Sequence, residues 1–159
     1  FAEDKIVSFG PAKRIYIATM HPYDEESHKR VARHRKMRAG KGFETVECYT
    51  GLKNLDFPEN AVVLLECMSN LVANEMYDPS GAGGNAEESI LAGIRKLQKV
   101  SDDLVIVTNE VFSDSMTDNP EMEKYLKLLG NVNLWMGEMA DLVTEVVYGI
   151  SVERKDIKK

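Results

Sequence analysis

The sequence predicts a three-layer α/β domain built on a mostly parallel sheet. One observation is a set of short runs apolar on both faces: Arg14–Thr19 (RIYIAT), Ala61–Leu65 (AVVLL) and Leu104–Val107 (LVIV). A second is the helical stretches that separate them. Strands that are apolar throughout are buried on both faces, which is the pattern of a parallel sheet covered by helices. A third is uniformity: 159 residues without a repeat or low-complexity tract predict a single domain over residues 1–159.

Taken in order, Phe1 to Ser8 (FAEDKIVS) reads as a helix already under way, with no N-cap in front of it, so upstream residues are expected. Arg14–Thr19 is a buried strand, closed by the polar break His21, Pro22, Tyr23. Asp24 to Arg38 is a polar helix with Asp24 as N-cap and Glu25 and Glu26 in its first turn. Thr45–Tyr49 is a second strand, and Ala61–Leu65 a third with Glu66 just after it. Met68–Tyr77 follows as a helix, Asp78–Asn85 (DPSGAGGN) as a loop, and Ala86–Val100 as an amphipathic helix. The glycines of that loop lack the lysine and the spacing of a phosphate loop. Leu104–Val107 is the fourth strand, ending at Thr108, Asn109 and Glu110. Asn119–Ala140 is mostly helical with a break expected at Gly130, Leu142–Tyr148 is a fifth strand, and a short last strand lies around Val152.

A net charge of −6 argues against a dedicated nucleic-acid binder. No apolar run approaches the roughly 20 residues that a membrane span needs, and no secretory signal is visible. Cys48 and Cys67 are too few for a disulfide framework and lack metal-ligand spacing, so a reduced, cytoplasmic setting is expected. The eight methionines, Met136 and Met139 among them, read as core filler.

Against this acidic background one segment is crowded with cations: Lys29, Arg30, Arg33, Arg35, Lys36, Arg38 and Lys41. Such a concentration suits a compact anion. Arg30, His34 and Arg38 lie four apart and share one helical face. Like charge on both sides disfavours a protonated imidazole, which leaves a ring nitrogen able to attack phosphorus while the arginines neutralise phosphate. The same face also reads as a solvated helix that happens to carry a histidine, and the residues alone leave both readings open. In open α/β sheets ligands bind beyond the carboxyl ends of the strands. There stand Thr19 and Met20, Glu66, and Asn109 with Glu110. Glu66 is either a carboxylate for Mg²⁺ or an acid placed where the chain leaves the core. For His21 and His28 the sequence suggests no partner.

Six landmarks then occur in order: YIAT at Tyr16–Thr19, RVARHRKMR at Arg30–Arg38, TVEC at Thr45–Cys48, LLEC at Leu64–Cys67, VTNEV at Val107–Val111 and ADLVTEVVYGI at Ala140–Ile150. Together they resemble the bifunctional adenosylcobinamide kinase/adenosylcobinamide-phosphate guanylyltransferases of cobalamin biosynthesis. The resemblance implies a P-loop, RecA-like fold, with GTP and ATP as substrates, Mg²⁺ as cofactor and a homotrimer as the assembly. It implies that His34 attacks the α-phosphate of GTP, and that GMP passes from it to adenosylcobinamide phosphate, giving adenosylcobinamide-GDP. It further implies nucleotide contacts at Ala18, Thr19 and Met20, at Arg35, Lys36, Met37 and Arg38, and at Glu47 and Glu66. Three features depart from the family. Its opening strand and GGxxSGKS phosphate loop are not in this sequence, whose Phe1-Ala2-Glu3 matches the helix after that loop. Its glycine-rich turn reads Phe112-Ser113-Asp114-Ser115-Met116 here, and its Asn-Gln pair reads Asn133-Leu134. Two other readings stand beside the enzyme: a nucleotide-binding relative without transferase activity, and another small P-loop kinase.

Overall fold

The computed structural model describes residues 2–10, 12–22, 24–56, 58–109, 119–147 and 150–156. Glu110 and the segment 111–118, with its Phe112–Met116 departure, lie outside the described residues.

Strand β1 (Arg14–Ala18) is buried at Ile15, Tyr16 and Ile17, and β3 (Ala61–Glu66) at five consecutive positions. Both are the two-sided strands their composition requires. They pair in parallel with each other, β2 (Phe43–Glu47) flanks β1 and β4 (Ser101–Val107) flanks β3, giving the order β2-β1-β3-β4. Helices cover both faces. Alternation along β1 sends Ile15 and Ile17 into the larger core and Tyr16 into the smaller one.

The larger core lies under α3 (Met68–Tyr77), α4 (Ala86–Val100) and α5 (Pro120–Met139). In α4 the buried residues Ala86, Ser89, Ile90, Gly93, Ile94 and Leu97 fall on one face at helical spacing. The smaller core joins Tyr16, Phe43, Val62 and Leu64 to Ile6 of α1 (Ala2–Ser8).

On that second side runs α2 (Glu25–Ala39), in which Arg38 is the buried residue. A helix without an apolar stripe gains little from packing and depends on local bonds. Asp24 supplies one, accepting from the Ser27 amide at 2.6 Å, and Lys29 lies 3.8 Å from Glu25 one turn earlier. The Arg38 guanidinium stacks 3.6 Å over the Tyr16 ring.

Four expectations are corrected. The second strand is Phe43–Glu47 and not Thr45–Tyr49, because Phe43 packs edge-on against Tyr16, ring centroids 6.4 Å apart. β4 starts earlier, at Ser101. α5 runs unbroken through Gly130: the buried neighbours Leu129 and Val132 hold it, against the roughly 0.5–1 kcal/mol a helical glycine costs. The fifth strand, β5 (Leu142–Val147), is not part of the parallel sheet. It pairs antiparallel with the seven-residue β6 (Ile150–Asp156), as strands two residues apart must. The methionines also divide. Met68 is buried and Met136 packs on the core, but Met20, Met37 and Met122 are exposed.

Candidate active site at the carboxyl edge of the sheet

Parallel pairing brings every strand's carboxyl end to one edge, and the register then fixes the neighbours. Ala18 is opposite Glu47 on one side and Glu66 on the other. Neighbouring strands lie about 4.8 Å apart, so the backbones of Glu47 and Glu66 stand roughly 10 Å apart across the edge. Alternation puts Tyr16, Ala18, Glu47 and Glu66 on the face that carries α2.

The cationic helix therefore lies against the acidic row. Arg35 Nη1 is 3.8 Å from Glu47 Oε1, and its Nη2 donates to the Thr45 carbonyl at 3.5 Å. The chain leaves the carboxyl end of β1, forms α2 and returns to the start of β2, so α2 runs antiparallel to the strands. His34, four residues before Arg38, consequently sits about 6 Å nearer the carboxyl edge than the arginine that stacks on Tyr16. His34 is exposed, as are Arg30, Arg33 and Lys36, and among the described residues Arg33 and Lys36 form no ion pair. An open groove of about 380 Å³ runs between α2 and β2, lined by His28, Arg35, Lys36 and Glu47 among others.

Of the residues singled out from sequence, the edge brings together Ala18, Glu47, Glu66 and Arg35, with Lys36 on the groove wall. Thr19 is fully buried. Its hydroxyl accepts from the Cys67 amide at 2.8 Å and lies 2.8 Å from the Cys67 carbonyl, which joins the end of β1 to the end of β3. Asn74 Nδ2 donates to the Thr19 carbonyl at 2.8 Å. Met20 and Met37 point to solvent, and Arg38 is turned in toward the sheet. Burial, together with the nearby Glu66 charge, raises the Tyr16 pKa far above the ordinary tyrosine range. Among the described residues no cluster of three His, Cys, Asp or Glu side chains could hold a metal alone, and Cys48 and Cys67 are both free thiols.

Sequence reasoning missed Tyr16, although strand alternation from Ala18 could have found it. It also missed a second hollow beyond Glu47. There His21 stacks on Tyr49, ring centroids 3.9 Å apart, and its Nε2 lies 3.1 Å from Asp78 Oδ2. No local signal joins residues so far apart in the chain.

A parallel α/β sheet with an acidic strand-end row beside a cationic helix suits a protein that handles nucleotides in phosphoryl or nucleotidyl transfer. The comparisons with known proteins are specific. The profile of the CobU family, cobinamide kinase / cobinamide phosphate guanyltransferase, matches residues 1–154, and the chain belongs to that family. Two similar proteins carry the name bifunctional adenosylcobalamin biosynthesis protein CobU. The one from Escherichia coli (strain K12) is 32% identical over 155 residues, covering 89% of this chain and 85% of the relative. The one from Salmonella typhimurium (strain LT2) is 29% identical over 155 residues, with the same coverage. The chain is thus a nucleotide-using enzyme of cobalamin biosynthesis, with cobinamide kinase and cobinamide phosphate guanylyltransferase activities. Among the described residues no helix is long and apolar enough to cross a membrane.

Proposed function

We propose that His34 carries GMP between the two substrates of the guanylyl transfer. A ring nitrogen attacks the α-phosphorus of GTP, a P–N bond forms, and the bond to the bridging oxygen breaks so that pyrophosphate leaves. A phosphate oxygen of adenosylcobinamide phosphate then attacks the same phosphorus. The P–N bond breaks, the imidazole is regenerated and adenosylcobinamide-GDP is released. The observation that carries this reading is the row Glu47–Ala18–Glu66 with the cationic helix docked beside it through Arg35 on Glu47 and Arg38 on Tyr16.

Arg35 and Lys36 face the groove beside Glu47, where they neutralise the phosphates, and Ala18, Thr19, Met20, Met37 and Arg38 complete the nucleotide site. Thr19 and Arg38 act there through position, since one ties β1 to β3 and the other docks α2 on Tyr16. Glu66 fits Mg²⁺, a cation commonly held by one or two carboxylates with substrate phosphates supplying further oxygens. Bound there, the metal would offset phosphate charge. ATP or GTP supplies the phosphoryl group of the kinase step. The chain, residues 1–159, works as one nucleotide-binding domain of a cytoplasmic homotrimer, an assembly able to cover the exposed Val146, Ile150 and Val152 of the hairpin.

The test incubates the intact protein with Mg²⁺ and GTP labelled at the α-phosphate, then denatures it. The expected result is acid-labile, base-stable label that His34→Ala abolishes while GTP binding persists. Label that survives in His34→Ala would overturn the assignment.

A further inference from the structure

The second hollow, about 500 Å³ and open to solvent, shares Glu47 with the nucleotide groove but has the opposite character. The groove offers Arg35 and Lys36, whereas no lysine or arginine lines the hollow and Glu47 and Asp78 do. Glu47 has Arg35 at 3.8 Å on its groove side and Asp78 has the His21 ring at 3.1 Å, and the carboxylate oxygens facing the hollow accept from N–H donors.

Its walls are firmly held. Ser80 donates to Asp78 through its amide at 2.9 Å and its hydroxyl at 2.7 Å, bonds that keep the Asp78 carboxyl below the usual carboxylate range. Thr50 and Ser80 hydroxyls meet at 3.0 Å across the opening. Gly81 seats this loop, since a Cβ there would overlap the backbone carbonyls of Asn74 and Glu75. Gly51, in the left-handed region at φ 67°, turns the chain so that Asn54 joins the lining. The site thus combines a stacked aromatic wall, His21 on Tyr49, with several separated polar points: Glu47, Asp78, the hydroxyl pair and the Asn54 amide.

We propose that this hollow binds the carboxamide-bearing edge of the corrin ring of the cobinamide acceptor, next to the groove that holds the nucleotide. The inference rests on the guanylyltransferase reading above. Both substrates carry phosphate, which meets no lysine or arginine in the hollow, so the hollow suits an uncharged part of one of them. Cobinamide brings a broad apolar ring rimmed by uncharged amides, and spaced acceptors and hydroxyls around an aromatic wall match a ligand with many amides better than a single base edge. An open hollow also takes the edge of a large ligand without enclosing it. The shared Glu47 wall sets the acceptor beside the phosphorus it must reach.

The intact enzyme and the variants Tyr49→Ala and Asn54→Ala, each checked for native circular dichroism, are compared by equilibrium dialysis with cobinamide phosphate and, separately, with GTP. The expected result is a Kd for cobinamide phosphate about tenfold higher in each variant, with the Kd for GTP within about twofold of the parent. A parallel loss of GTP affinity would place the guanine base in the hollow and overturn the proposal, and so would unchanged affinity for both. Dialysis requires no adduct, so a protein that never carries GMP on His34 still returns an answer about the hollow.

Discussion

Thr19 and Arg38 show how a residue type suited to ligand contact can be used for support. The Thr19 side chain is fully buried, and its hydroxyl is bonded to the Cys67 backbone. Thr19→Val keeps the shape but leaves the Cys67 amide without that partner, and an orphaned buried donor costs about 1–3 kcal/mol. Urea denaturation should show that loss with an unchanged m-value. Arg38, with its guanidinium over Tyr16, is the buried anchor of a helix that has no apolar face. A desolvated cation–π contact contributes on the order of 1–2 kcal/mol, so Arg38→Ala should lower stability by about that much and loosen α2. The sequence singled out Arg38 for nucleotide contact and carried no sign of its direction. Helical spacing places it on the face of Arg30 and His34, and only the tertiary position of Tyr16 shows that it turns inward.

At the scale of elements, α2 depends on its first turn. The Ser27 hydrogen bonds lower the Asp24 pKa below its ordinary value. A depressed folded pKa means that the cap's contribution is fully present above the unfolded value. It is lost as pH falls through the folded one. Protection of the Ser27 and His28 amides, taken relative to the intrinsic exchange rate at each pH, should therefore fall as the solution is acidified below about pH 4. Asp24→Ala should show that low protection at every pH, with little further change on acidification. This helix was legible in sequence to within a residue because its signals are local: a capping aspartate, two glutamates in the first turn and a glycine after its end. α3 and α4 were legible for the same reason, through helical spacing of apolar residues. Strand β2 was misplaced by two residues, since what fixes its register is Phe43 meeting Tyr16, a contact between distant parts of the chain.

Across the whole molecule, burial is uneven, and local stability should follow it. Leu64 and Leu65 of β3 are fully buried at the centre of the sheet. The β5–β6 ladder is a separate two-stranded sheet with Val146, Ile150 and Val152 exposed. Two-stranded hairpins are marginal in isolation. Native-state hydrogen exchange should find the hairpin amides opening well before those of β3, which should exchange only on global unfolding. Periodicity predicted both hairpin strands but could not tell that they leave the parallel sheet. The same limit applied to the site. The acidic positions, the cations and His34 are visible as residue types in a pattern. That Glu47, Ala18 and Glu66 form one row, and that His21 and Tyr49 stack beside Asp78, depends on strand register and loop closure. The measurement that bears most directly on the account is the position of the covalent nucleotide. The protein is reacted with GTP and Mg²⁺, digested under alkaline conditions and mapped by mass spectrometry. The account predicts a guanylyl group on the peptide containing residues 25–39, fragmenting to His34. A guanylyl group on any other residue, or none in a folded protein that binds GTP, would contradict it.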